Sequence, residues 1–142
     1  MTVAALLNNK PARTITLPSS STLADICNTL AKNRIGTVLI VDDGKLCGIV
    51  SERDVVRILA ASGEKALSST AGECMTKKLV TCTRSDTVSF LMERMTTGRF
   101  RHVPVVENDK LLGIVSIGDV VKYRIAEVER EAQEIRDYIA AT

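Results

Sequence analysis

Tryptophan is absent from this 142-residue chain, and its only aromatic side chains are Phe90, Phe100, Tyr123 and Tyr138. A protein that stacks single-stranded bases along a groove uses more of them. Histidine is represented by His102 alone, and Cys27, Cys47, Cys74 and Cys82 show no C-x-x-C spacing. No ligand set for a structural metal is therefore expected. Neither sign of charge dominates: 19 basic against 17 acidic residues give a net charge of +2, too mild for a nucleic-acid footprint. No apolar run approaches the roughly 20 residues needed to span a bilayer. Met1 to Asn9 has neither the basic start nor the apolar stretch of a signal peptide. These absences predict a cytoplasmic protein without a membrane segment. Walker A, G-x-S-x-G and H-E-x-x-H motifs are missing as well, and no catalytic residue or enzymatic activity is expected.

What is present is an ordinary globular balance, 45% hydrophobic and 25% charged, and an internal repeat. At an offset of 65, residues 15–58 align with 80–123 without gaps. Nine of twelve positions are identical between Lys45-Leu-Cys-Gly-Ile-Val-Ser-Glu-Arg-Asp-Val-Val56 and Lys110-Leu-Leu-Gly-Ile-Val-Ser-Ile-Gly-Asp-Val-Val121. Two copies of one supersecondary unit thus fill most of the chain.

Each copy reads as β-α-β-β-α. A short extended piece (15–17, 80–82) and a polar turn precede a helix whose apolar residues recur at helical spacing: Leu23, Ile26, Cys27 and Leu30, then Val88, Leu91, Met92 and Met95. Ser21 or Thr22 is a suitable N-cap for the first of these helices. Two β-branched runs around a tight polar turn then predict a hairpin, 37–50 in one copy and 103–115 in the other. A last helix starts at about Glu52 in the first copy and Ile117 in the second. Cys27 and Cys47 fall at apolar positions and read as small core residues. The Ser- and Gly-rich stretch 62–72 reads as the link between copies. The expected organisation is therefore 1–66, 67–126 and a helical extension, 127–142.

That extension carries Val121, Ile125, Val128, Ala132, Ile135 and Ile139 at spacings of 4, 3, 4, 3 and 4. This is a heptad seam, with charged residues on the other faces. The stripe either packs on its own domain or pairs with a second chain, and its length favours the dimer.

Gly-Ile-Val-Ser-x-x-Asp occurs twice, at Gly48 to Asp54 and at Gly113 to Asp119. Its structural role is a helix cap: the Ser side chain accepts from backbone N–H groups, and Asp is favoured in the first turn. The same geometry suits a ligand. A helix N-terminus offers N–H groups to a phosphate, a carboxylate can accept from two ribose hydroxyls, and Arg binds phosphate through a planar fork. Arg53, Arg99, Arg101 and His102 lie close to the motifs in sequence. Gly36 and Thr37 stand in the first copy where Arg101 and His102 stand in the second, so two such sites would differ in phosphate affinity.

The repeat, the two Gly-h-h-Ser-x-x-Asp motifs and Arg101-His-Val-Pro-Val-Val106 together resemble a tandem cystathionine β-synthase (CBS) domain pair, or Bateman module, over roughly residues 3–125. The resemblance implies a mixed α/β (α+β) fold: two pseudo-symmetric β-α-β-β-α motifs packed sheet to sheet, plus the extended C-terminal helix. It also implies adenosyl ligands, AMP first, with ATP, ADP, S-adenosylmethionine or NAD(H) as the others, in clefts built from both copies. One cleft would use Ser51, Arg53 and Asp54 with Thr76, Val80, Phe100, Arg101 and His102. The other would use Ser116 and Asp119 with Thr14, Ile15, Ile35 and Thr37. The first is the expected stronger anion site, because it gathers Arg53, Arg101 and His102; in the second, Ile117 and Gly118 replace Glu52 and Arg53. The implied function is a homodimeric sensor that modulates an unidentified regulated protein. The alternative is a structural dimerisation module with degenerate sites, in which Ser-x-x-Asp only caps helices. Nucleic acid binding is the weakest of the three readings.

Overall fold

A computed structural model describes residues 1–9 and 14–141. In chain order its elements are α1 (Val3–Asn8), β1 (Thr16–Leu17), α2 (Leu23–Asn33), β2 (Thr37–Asp42), β3 (Lys45–Ser51) and α3 (Glu52–Ser62). A 3-10 turn (Gly63–Ser68) follows, then α4 (Ala71–Cys74), α5 (Val88–Gly98), β4 (His102–Glu107), β5 (Lys110–Ser116) and α6 (Ile117–Ala141). The architecture is mixed α/β with a duplicated β-hairpin and a 25-residue C-terminal helix. The chain forms two compact units.

The first unit holds the described residues of 13–81 together with 106–112. Helix α2 starts at a reciprocal capping box: Asp25 N–H donates to Thr22 Oγ1 at 3.1 Å, and Thr22 N–H donates to Asp25 Oδ2 at 2.9 Å. Its apolar stripe, Leu23, Ile26 and Leu30, enters a core with Val38, Ile40, Val50 and Val55. Each such side chain contributes about 1.5–3 kcal/mol on burial. Strand β1 runs parallel to β2 (Thr16 beside Leu39), and β2 is antiparallel to β3, with Thr37 facing Ser51. The hairpin turn uses positive φ at Asp43 (52°) and Gly44 (80°), which supplies the twist a two-residue connection needs. The tip of the other hairpin also belongs here, where Lys110 pairs with Lys45 and Leu111 N–H donates to Gly44 C=O.

The Ser- and Gly-rich stretch after α3 is folded. Ala66 and Ala71 are buried in the core, Ala71 N–H donates to Ser21 C=O at 2.6 Å, and Leu23 N–H donates to Ser69 C=O at 2.8 Å. Small residues serve here because backbone packs against backbone.

The second unit holds the described residues of 1–12, 82–105 and 113–142. It contains α5, β4, the body of β5 and α6. The sequence pattern predicts no helix before β1, yet α1 supplies Val3 and Leu6 to this core, beside Val88, Leu91, Val103, Val105, Val115 and Val120. Backbone bonds hold it: Val3 N–H to Asp86 C=O, and Val88 N–H to Met1 C=O. The extended piece at 80–82 forms no named strand. It contributes one parallel bridge, Cys82 to Val105.

Candidate functional site

The same local device builds the strand-to-helix junction in each unit. In the first, the Thr37–Ser51 register ends at a hydrogen bond from Glu52 N–H to Gly36 C=O, 2.9 Å. In the second, Ile117 N–H donates to Arg101 C=O at 2.8 Å. The residues just before each outer strand therefore lie against the N-terminus of the helix that follows the hairpin. An αL residue places them there: Arg34 (φ 53°) ends α2 and Arg99 (φ 57°) ends α5. Non-glycine residues enter that region at a cost of about 1–2 kcal/mol, which surrounding contacts must offset.

Ser51 and Asp54 cap α3. Asp54 N–H donates to Ser51 Oγ (3.2 Å), while Ser51 N–H (2.9 Å) and Oγ–H (3.0 Å) donate to Asp54 Oδ2. The other carboxylate oxygen, Oδ1, accepts from Arg57 at 3.0 Å. Ser116 and Asp119 repeat the cap on α6, at 3.2 Å for Asp119 N–H to Ser116 Oγ and 2.8 Å for Ser116 N–H to Asp119 Oδ2. Position 122 is Lys where the first copy has Arg57. Both motifs are thus helix caps in fact, with a carboxylate at each helix N-terminus.

Hairpin pairing gathers the remaining candidates by copy. Around the first junction lie half-buried Ile35 and Thr37, exposed Arg53, and the Thr14-Ile15 segment that leads into β1 beside β2. Thr76 flanks β3 through a reciprocal backbone pair with Ile49 (2.9 and 3.1 Å), and half-buried Val80 follows it. Around the second junction lie Phe100, which packs on the second core, exposed Arg101 and half-buried His102. Arg101 and His102 therefore stand beside Ser116 and Asp119 of their own hairpin.

Two features go beyond the sequence pattern. Glu52 places its carboxylate over Gly36, where an added Cβ would stand 3.3 Å from Glu52 Oε1. The first junction thus carries a carboxylate, Glu52, where the second carries Ile117. The other is the Arg57–Asp54 ion pair, which the sequence reading missed and for which the (i, i+3) spacing on a helix was the available signal. A hollow of about 500 Å³ opens beside the first junction, lined in part by Arg34, Ile35, Gly36 and Glu52. Among the described residues, no group of three or more His, Cys, Asp or Glu side chains could hold a metal ion. Among them, too, no helix is long and apolar enough to cross a membrane.

A twice-repeated α-β-β-α unit with a carboxylate-capped helix after each hairpin, preceded by a strand in the first copy and by a single bridge in the second, defines a duplicated α/β module. The chain belongs to the CBS domain family, whose sequence profile matches residues 6–61 and 71–126. It is 34% identical over 126 residues to the CBS domain-containing protein CBSX3, mitochondrial, of Arabidopsis thaliana; the match covers 85% of this chain and 61% of that protein, so the chain spans less than two thirds of that relative. Among solved structures it is similar to the CBS-domain containing protein ATU1752 of Agrobacterium tumefaciens, at 44% identity and a TM-score of 0.80, covering 87% of this chain and 92% of that one. It is also similar to the CBS domain protein PAE2072 of Pyrobaculum aerophilum, which was solved complexed with AMP, at 30% identity and a TM-score of 0.73, covering 84% and 89%.

Proposed function

We propose that the chain is a regulatory sensor of adenine nucleotides, a non-catalytic homodimer that changes how it engages a partner protein when the ligand binds. The observation that carries this reading is the second junction, where the Ser116–Asp119 cap and the Arg101–His102 pair meet at the N-terminus of α6. A ribose presents two vicinal hydroxyls, which a carboxylate accepts together. A phosphate suits a guanidinium fork and the N–H groups of a helix N-terminus. Gly118 has no side chain to crowd that end; a Cβ there would meet only Ser116 Oγ, at 3.6 Å. The AMP bound by the Pyrobaculum relative supports AMP as the ligand, with ATP, ADP, S-adenosylmethionine and NAD(H) as its competitors. The reading keeps Thr14, Ile15, Ile35, Thr37, Ser51, Arg53, Asp54, Thr76, Val80 and Phe100 as further ligand contacts, and a cytoplasmic location.

A second reading has its own observation. Both oxygens of Asp54 are engaged, one by the cap and one by Arg57, and Glu52 adds negative charge beside Gly36. The first junction therefore fits a structural role as well.

Calorimetric titration with AMP, adenosine and GMP tests the reading. AMP should bind the wild type, and at a hundred times its Kd should add about 2.7 kcal/mol of stability. Asp119→Asn should abolish AMP and adenosine binding. Arg101→Ala should lose AMP while keeping adenosine. Asp54→Asn should cost about 1 kcal/mol of stability through the cap with a smaller effect on AMP. Binding that is unaffected by Asp119→Asn and Arg101→Ala would refute the assignment. An absence of binding by any adenine compound would leave the structural module as the function.

A further inference from the structure

The apolar stripe of α6 stays open to solvent within the second unit. Val121, Ile125, Val128 and Ile135 are between 47% and 61% exposed, and only Val120, on another face, is buried in the core. We infer that this stripe pairs with the same stripe of a second copy as a parallel, in-register, two-stranded coiled coil. The inference rests on the self-association proposed above and adds the interface, its orientation and the residues that set it.

The orientation follows from charge. With Ile125, Ala132 and Ile139 at a positions and Val121, Val128 and Ile135 at d positions, Arg124 and Glu131 fall at g, and Glu129 and Arg136 at e. In a parallel pair each g residue meets the e residue five positions later on the other helix. Arg124 then meets Glu129 of the second copy, and Glu131 meets Arg136; both pairs are of opposite sign and both occur twice by symmetry. An antiparallel pairing of the same stripe, with Val128 over Ala132, sets Glu129 against Glu129, Glu131 against Glu131 and Lys122 against Arg136. All three pairs are then like-charged. Glu129, Glu131 and Arg136 are exposed, and Arg124 carries an ion pair to Glu127 on its own helix while its side chain stays half-exposed. Arg136 donates to Gln133 Oε1 of its own helix at 2.7 Å, so both arginines would exchange a local contact for the one across the pair. The seam is narrow, flanked by charge at Lys122, Arg124, Glu129, Glu131 and Arg136, which is the a/d width of a coiled-coil contact.

Sedimentation equilibrium of the whole chain provides the test, with thermal unfolding to check that each variant folds. The wild type should be a dimer at micromolar loading, and Ile135→Asp, at an exposed position, should be a folded monomer. Glu131→Arg should weaken the dimer about tenfold, because both symmetry-related attractions to Arg136 turn into repulsions. Adding Arg136→Glu to that variant should restore affinity. A monomeric wild type would overturn the inference together with self-association, leaving nucleotide binding untouched. A dimer that survives Ile135→Asp would overturn the interface alone. A dimer indifferent to Glu131→Arg but tightened by Arg136→Glu would show the antiparallel arrangement and overturn the orientation. A trimer would overturn the stoichiometry and with it the inference.

Discussion

Replacing the motif glycines by alanine separates two packing situations that look alike in sequence. Neither Gly48 nor Gly113 has a positive φ, so alanine adds no backbone strain at either. A Cβ on Gly48 would lie 2.6, 2.7 and 2.9 Å from Sδ, Cγ and Cβ of Met75, well inside the roughly 3.5–4.0 Å of an ordinary carbon contact. The thioether end can rotate away, but the Met75 Cβ moves only with its backbone. That backbone is pinned: Met75 N–H donates to Ala71 C=O at 2.8 Å, and the next residue, Thr76, exchanges two hydrogen bonds with Ile49. Overpacking of this kind costs about 1–3 kcal/mol. The lower chain entropy of alanine returns about 0.5–1 kcal/mol, which leaves a net loss centred on about 1 kcal/mol and at most about 2.5 kcal/mol. At Gly113 the neighbour is one methyl of Leu7 at 3.0 Å, with the rest of that side chain at 3.8 Å or more. A small rotation clears it, and the net change should be within about 0.5 kcal/mol of zero. Urea unfolding followed by circular dichroism should show a lower midpoint for Gly48→Ala at unchanged slope and little change for Gly113→Ala. Gly48→Ala combined with Met75→Ala should be more stable than the sum of the single effects. A Gly48→Ala protein as stable as the wild type, or a larger loss at Gly113, would refute the argument. Because Thr76 moves with Met75, Gly48→Ala should also disturb the first junction, which ties the packing to the candidate site.

Further outcomes follow from the titratable groups. Asp42 accepts from Ser19 Oγ (2.6 Å) and Ser19 N–H (3.0 Å), and these bonds, the hydroxyl first, hold its carboxyl below the usual range. A lowered folded value means that this stabilisation is complete above the unfolded value and is lost as pH falls through the folded one. Asp42→Asn should thus be less stable than wild type at neutral pH, and the two unfolding midpoints should converge below about pH 4; a constant gap would count against the Ser19 contact. Burial pushes the Cys82 thiol up to about 12, and its side chain lies in the second core. At about pH 8 Cys82 should therefore be the last of the four thiols to be alkylated, reacting at the rate of unfolding. Mass spectrometry that found Cys82 among the fast sites would contradict its burial.

The duplication, the two hairpins with their flanking helices, and the caps were legible in the sequence. Repeat matching reports homologous units directly. Helix caps, two-residue turns and amphipathic stripes are local, so Thr22, Ser51, Asp54, Ser116 and the Asp43–Gly44 turn could be read from a few neighbouring residues. The heptad of α6 was legible for the same reason. The adjacency of Arg101 to Ser116 was available in principle, since an antiparallel hairpin sets the start of one strand against the end of the next. Where the short helices dock was not legible and depends on the assembled core. α1 precedes the first copy in sequence but packs on Val88 and Leu91 of the second, while α4 and the 3-10 turn close the core of the first. Six residues of α1 and four of α4 are too short for periodicity to mark them, and the bonds that hold them join segments far apart in the chain, Val3 to Asp86 and Ala71 to Ser21. Long-range closure of this kind depends on which apolar surface each hairpin leaves uncovered, and no local pattern records that. For the same reason the exposure of the α6 stripe, which points to a second copy, emerged only from a second core that is filled without it.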